Sequence, residues 1–292
     1  MNKCMICPRE CGADRDIERG FCGADSHIRI ARAAKHMWEE PPISGKNGSG
    51  TIFFSGCSLG CEFCQNSDLS HKNHGKDVTP GRLYDIMFEL KAQGVHNINL
   101  VTADHYIPYI APVLKQAKTD GLDLPIVFNT SSYLKPQTLS MLSGLVDIYL
   151  ADFKFMRPET ALKYCTAPDY PEYAKSAVKQ MFDQVGVPVI ENNIMKSGVI
   201  VRVLVMPSNI IDAKSIIKYL YGKFGNDVCI SVLGQYVPMS DSTHEELRHQ
   251  LSQAAYSSVV RYAQKLNIVN GFMQSPGADD CKYIPQFDME GV

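Results

Sequence analysis

The chain has 292 residues, 45% of them hydrophobic and 21% charged, with a formal net charge of −2; it can bury one core of barrel size, and it has no charge excess to draw nucleic acid or an anionic membrane. The start Met1-Asn2-Lys3-Cys4 carries no apolar signal-peptide run, and no stretch of about 18 apolar residues occurs, so a cytoplasmic protein without membrane association is expected. Ten cysteines in that compartment are metal ligands or buried thiols more often than disulfides, and seven of them fall in the first 64 residues.

Residues 1–27 carry four of these thiols, in Cys4-Met5-Ile6-Cys7-Pro8-Arg9-Glu10-Cys11-Gly12 and Gly20-Phe21-Cys22-Gly23. Cys4, Cys7, Cys11 and Cys22 make a complete sulfur ligand set. Glycines at a metal knuckle relieve backbone strain and let amide N–H groups point at sulfur; Gly12, Gly20 and Gly23 therefore fit either a zinc knuckle or an auxiliary iron-sulfur cluster, and the spacing does not choose. So short and polar a module buries little core of its own, so a bound metal would supply much of its folding energy. Free thiols, or a redox pair of Cys4 and Cys7, are the competing readings. Residues 28–50, with Trp38-Glu39-Glu40-Pro41-Pro42 and a glycine-rich run to Gly50, read as a connecting segment.

From residue 51 to 270, short apolar or β-branched runs alternate with longer amphipathic stretches. Strands are expected over 51–55, 97–102, 125–129, 146–151, 199–206 and 228–233. Helices are expected over 80–93, 106–119, 136–142, 173–184, 213–224 and 242–265. Six such repeats with right-handed crossovers give an α/β fold, either a partial (β/α)6 barrel or an open doubly wound sheet, followed by a tail over 271–292. In both architectures functional groups collect at the carboxyl ends of the strands.

Directly after the first strand comes Cys57-Ser58-Leu59-Gly60-Cys61-Glu62-Phe63-Cys64. Three thiolates on one loop are one short of a structural zinc site, but they can hold three irons of a [4Fe-4S] cluster and leave the fourth open. The later strand ends supply polar groups: Thr102, Asp104 and His105; Asn129, Thr130 and Ser131; Asp152 and Lys154; Arg202; and Tyr236 in Gly234-Gln235-Tyr236-Val237-Pro238. Thr102 and Asp104 can accept from an ammonium group, and His105 can carry a proton. Asn129 and Ser131 suit a ribose or carboxylate, although such residues also make ordinary turns. Asp152 and Lys154 share one face of an extended chain by the two-residue period, as a plain salt bridge also would.

The C-x3-C-x2-C spacing, with Phe63 before its last cysteine, resembles the signature of the radical S-adenosylmethionine (SAM) enzymes. That resemblance implies a partial TIM-like barrel, a [4Fe-4S] cluster on Cys57, Cys61 and Cys64, and SAM chelated at the open iron. It also implies reductive cleavage of SAM to a 5′-deoxyadenosyl radical that abstracts hydrogen from a substrate. The Asp152-Phe153-Lys154 motif narrows the resemblance to the pyruvate formate-lyase activating enzymes, which implies that Asp152 helps hold a monovalent cation near the SAM site and that Lys154 lies in the catalytic pocket. Arg202 matches that group's basic SAM contact, where guanidinium geometry suits a carboxylate or ribose. Tyr236 stands where a histidine touches the nucleoside, and the group's Gly-Gly-Glu motif is absent. Phe63 and Tyr236 can both pack on adenine, though aromatics are more often core. An electron donor such as flavodoxin or ferredoxin is implied, as is a protein, peptide or small-molecule substrate, a glycyl-radical enzyme among them.

Two rivals stand beside this reading. One is an iron-sulfur electron-transfer or scaffold protein without SAM turnover, and the other is an α/β binding protein with structural zinc at both cysteine sets. Of the remaining thiols, Cys165 reads as an ordinary loop residue, Cys229 as buried core and Cys281 as part of the polar tail.

Overall fold

The computed structural model describes residues 3–207, 209–274 and 285–292; Cys281 and most of the expected tail lie outside the described residues. In chain order the elements are β1 (Ile28–His36), α1 (Pro41–Ser44), β2 (Ser49–Phe54), α2 (Ser67–Ser70), β3 (Lys76–Val78), α3 (Pro80–Ala92), β4 (Ile98–Val101), α4 (Ile107–Thr119), β5 (Ile126–Thr130) and α5 (Pro136–Ser140). They continue as β6 (Ile148–Asp152), α6 (Pro158–Cys165), α7 (Tyr170–Val185), β7 (Val189–Glu191), β8 (Ile194–Leu204), α8 (Ile210–Phe224), β9 (Cys229–Leu233), α9 (Gln253–Lys265) and β10 (Gly271–Met273).

All six expected strands form, and the fold is the partial, TIM-like α/β barrel. The sheet runs β10-β9-β8-β6-β5-β4-β2-β1-β3, so it curves without closing among the described residues. From β2 to β10 neighbours pair in parallel. β2, β4 and β6 are buried along almost their whole length, as strands of a sheet covered on both faces are.

The two-residue period sorts the side chains. Ile52, Phe54, Ile98, Leu100, Ile126, Phe128, Tyr149, Val199 and Val201 belong to the main core that the helices cover. Val127, Ile148, Leu150, Ile200 and Cys229 form a second cluster on the opposite face, with Ile43 of α1 packed among them. Continuing that second face toward the carboxyl ends brings Asn129, Asp152 and Arg202 into line. One apolar pattern therefore fills the lower barrel and aims three polar residues above it.

Three expectations need correction. The supposed connecting segment contains β1, antiparallel to β2 and β3 and lying between them in the sheet; its charged residues hid the strand, and Arg29–Asp77 and Arg32–Asp288 pairs at 2.6 Å neutralise two of them. The helix expected over 242–265 is a short 3-10 turn at Glu245–Arg248 followed by α9, whose N-cap Ser252 accepts from the Ala255 N–H. Cys165 is not in a loop: it ends α6 and is buried. Cys229 is buried in β9 as expected.

Residues 3–27 form turns and a Lys3–Asp14 bridge and pack on the mouth of the barrel. Thr138 Oγ donates to the Ile6 carbonyl at 2.6 Å, Asn73 Nδ2 to Gly23 at 2.8 Å and Arg15 to His105 at 2.6 Å.

Candidate functional site

At the carboxyl end of the sheet lies a cavity of about 210 Å³. Its walls bring together Cys57, Cys61, Cys64, Phe63, Thr102, Asn129, Ser131, Asp152, Lys154, Arg202 and Tyr236. Eleven of the residues expected at a site thus share one chamber.

The cysteine loop owes its shape to Gly56, which has φ +88° and follows β2. A Cβ there would lie 2.5 Å from the Cys22 carbonyl oxygen, which only glycine avoids. That same carbonyl accepts the Cys57 N–H at 3.0 Å, so the N-terminal module meets the loop at its first cysteine. The Leu59 N–H points at Cys57 Sγ at 3.4 Å. Burial pushes the Cys57 and Cys64 thiols up, with neighbouring thiols adding to it. Cys61 is raised first by contact with the Cys165 thiol and then by burial.

Three soft sulfur donors with an N–H aimed at one of them suit iron. Among the described residues no three His, Cys, Asp or Glu side chains are gathered to hold a single metal ion. Three thiolates are one short of a tetrahedral structural zinc set and suit a cluster that keeps one iron open.

Across the chamber, Lys154 Nζ meets Asp152 Oδ2 at 2.6 Å. Burial alone would push this ammonium down, but the Asp152 carboxylate outweighs it and holds the pKa well above the usual lysine value. The Tyr170 hydroxyl ties the two strand ends: it accepts from the Lys154 N–H at 2.9 Å and lies 2.9 Å from the Ser131 carbonyl. Arg202 does not stand free for an incoming carboxylate. Its guanidinium bonds Glu40 at 2.8 and 2.6 Å and also contacts Glu39, which accepts from Asn99 at 2.8 Å. Both carboxylates come from the Trp38-Glu39-Glu40-Pro41-Pro42 stretch; Glu39 lines the chamber with Trp38 and with His36 at the end of β1, Glu40 backs Arg202, and all four were missed as site residues. Adjacent acids before a Pro-Pro pair were the available signal.

His105 lies outside the chamber. It is 1% exposed, its Nε2 is 2.9 Å from the Ser55 carbonyl, and burial lowers its pKa to about 3, so it is a neutral structural group rather than a proton carrier. Asp104 is buried behind Thr130, bonded to its hydroxyl, and raised to about 6 by burial. Tyr236 lines the wall with its ring while its hydroxyl donates to Leu247 at 2.7 Å.

Cys4, Cys7, Cys11 and Cys22 lie in the N-terminal module, near enough that Cys7 feels the charge of the other three. A Cβ on Gly20 would lie 3.3 Å from Cys11 Sγ and 3.7 Å from Cys22 Sγ, so those sulfurs flank one point. Burial raises Cys7 to about 11 and also raises Cys22. For the exposed Cys11, burial raises the thiol, but hydrogen bonds from the Ala13 and Phe21 backbone outweigh it and bring the pKa below the ordinary value.

A model of the radical SAM superfamily matches residues 51–205. An uncharacterized protein of Methanocaldococcus jannaschii is 29% identical over 276 residues, covering 91% of this chain and 75% of that protein. Among solved structures, the FeFe-hydrogenase maturase HydG from Carboxydothermus hydrogenoformans superposes with TM-score 0.53 at 15% identity, over 80% of this chain and 56% of that one. Streptococcus suis SuiB bound to the precursor peptide SuiA gives TM-score 0.52 at 11% identity, over 76% of this chain and 47% of that one. The chain spans about half the length of these two structures, and at such identity the likeness is one of fold. Among the described residues no helix is long and apolar enough to cross a membrane.

Proposed function

The chain belongs to the radical SAM superfamily, whose members use a [4Fe-4S] cluster and SAM for radical chemistry, and from that premise we propose that Cys57, Cys61 and Cys64 hold the cluster and that SAM occupies the chamber beside them. When bound, the cluster and SAM supply one-electron reductive cleavage to a 5′-deoxyadenosyl radical that abstracts a hydrogen atom from the substrate. The electron comes from a low-potential carrier such as flavodoxin or ferredoxin.

The chain's own residues bind, orient and keep the chamber dry. Phe63 and Tyr236 offer apolar walls to adenine, and Asn129 and Ser131 offer an amide and a hydroxyl to ribose or carboxylate oxygens. The Arg202–Glu40–Glu39 network presents acceptor oxygens to an ammonium group, the role that the absent Gly-Gly-Glu motif leaves open. Lys154, kept charged by Asp152, donates to an anionic group of SAM or substrate. Asp152 and Lys154 also support the narrower reading, an activase that acts on a polypeptide such as a glycyl-radical enzyme. Cys4, Cys7, Cys11 and Cys22 hold a second centre, zinc or iron-sulfur.

One observation carries this reading: the three-cysteine loop and the polar ends of β5, β6 and β8 line the same chamber. The test is 5′-deoxyadenosine formation from SAM by the anaerobically reconstituted, chemically reduced protein. Wild type is expected to form it and Cys57→Ala to form none. A wild-type protein that holds its cluster and leaves SAM intact would favour the electron-carrier reading instead.

A further inference from the structure

Arg9 sits between two thiols of the N-terminal module, in Cys7-Pro8-Arg9-Glu10-Cys11, yet its side chain leaves the module. Nε donates to the Ser58 carbonyl at 3.0 Å, and Nη2 donates to Leu59 at 2.9 Å and to Cys165 at 2.6 Å. Nη1 donates to the Thr166 carbonyl at 2.6 Å and reaches its hydroxyl at 3.5 Å. The guanidinium has five N–H donors, and all five are used. Four acceptors are carbonyls of two segments: the turn between Cys57 and Cys61, and the end of α6 where Cys165 faces Cys61.

Two further features set this contact apart. Among the described residues no carboxylate pairs with Arg9. Its charge lies instead over the Phe21 ring at 4.1 Å and 5.4 Å from the Tyr133 ring centre. The fork also spans three parts of the chain, residues 9, 58–59 and 165–166, so it fixes the cysteine turn relative to the module and to α6 together. Lysine has three donors on a point charge and cannot reproduce that fork.

We propose that Arg9 is a positioning residue through which the N-terminal module holds the Cys57–Cys64 turn in its ligand-presenting shape and sets an uncompensated positive charge beside it. The inference rests on the cluster reading above. Two effects follow. The turn is preorganised before metal arrives, which favours loading and slows loss of iron. The positive charge stabilises the more negative, reduced form of a thiolate-bound cluster, which raises its reduction potential, since nearby charge and hydrogen bonding set that potential.

The experiment compares full-length wild type, Arg9→Gln and Arg9→Lys after anaerobic reconstitution. Cys57→Ala serves to identify which iron and which paramagnetic signal belong to the Cys57 set. Iron and acid-labile sulfide, cluster lifetime in air and a redox titration followed by electron paramagnetic resonance are measured, with thermal melting as the check on folding. Arg9→Gln is expected to lower the midpoint potential and to shorten the lifetime about fivefold or more. Arg9→Lys is expected to restore the potential but not the lifetime, because it keeps the charge and loses the fork. If Arg9→Gln does not fold, a shortened lifetime in Arg9→Lys decides for the proposal and a wild-type lifetime decides against it. Wild-type potential and lifetime in a folded Arg9→Gln would overturn the role of Arg9 while leaving the cluster reading intact. Equal iron in wild type and Cys57→Ala would instead overturn the cluster reading.

Discussion

The two cysteine sets meet through the Cys57 N–H bond to the Cys22 carbonyl and through Arg9 on the Ser58 and Leu59 carbonyls, yet the chain supports them in opposite ways. The Cys57–Cys64 loop hangs on β2, every residue of which is buried, and its thiols are held in shape by a barrel that folds around its own apolar core. The 3–27 module has turns, one isolated bridge and an exposed Cys11, and it leans on the barrel's mouth through Thr138, Asn73 and Arg15. Similar clusters of thiols are thus presented on a preformed scaffold and on a segment that needs outside help, and the seam between them is where substitutions tell the two apart.

Gly56→Ala strikes that seam hardest. Its new methyl would meet the Cys22 carbonyl at 2.5 Å, at a backbone φ of +88° that alanine resists. A loss on the order of 3 kcal/mol is expected in a denaturant melt, with iron lost from the Cys57 set. A variant as stable as wild type would mean that the module docks without depending on this turn.

The next effect concerns pH, through two adjacent buried groups at the same seam. His105 has its pKa lowered from 6.5 to about 3 by burial, so the folded state takes up fewer protons than the unfolded one between those values and stability falls as pH falls below 6.5. Asp104 is raised from 3.8 to about 6 by burial, so it works in the opposite sense: stability rises as pH falls from 6 toward 4. In wild type the two slopes partly cancel. Asp104→Asn should therefore make the protein more acid-sensitive, and His105→Gln less, by on the order of 2 kcal/mol between pH 7 and 4.5 in melts of the metal-free protein. Parallel curves for all three proteins would contradict the assignment.

Smallest is Thr138→Val, which removes the hydrogen bond to Ile6 at 2.6 Å. A loss of about 1 kcal/mol is expected, read as faster proteolysis within residues 3–27 with the barrel untouched. Equal acceleration of cleavage in both regions would show that the module and the barrel open as one unit.

Much of this arrangement was legible in the residues. Buried runs such as Ile98–Val101 and Ile148–Asp152 read as strands because covered parallel strands are apolar throughout. Asn129, Asp152 and Arg202 could be aimed at one chamber because side chains alternate. β1 was hidden because Arg29, Arg32 and Lys35 interrupt its pattern, and the acids that pair with the two arginines lie elsewhere: Asp77 well downstream and Asp288 and Glu290 near the far end. His105 looked like a proton carrier because a strand-end histidine commonly faces solvent; only its neighbours show it sealed beneath the module.

By itself the sequence determined an α/β fold of parallel strands, the three-cysteine loop and the strand ends that would face it, since hydrophobic period and ligand spacing are local properties of the chain; the barrel rather than an open sheet came from the family resemblance of that loop. Tertiary structure alone decided what each charged group answers to: Arg202 to Glu39 and Glu40, Cys61 to Cys165, and Arg9 to the carbonyls of the cysteine turn. Those partners lie tens to more than a hundred residues apart, and electrostatics and hydrogen bonding depend on distance in space, which no local pattern encodes.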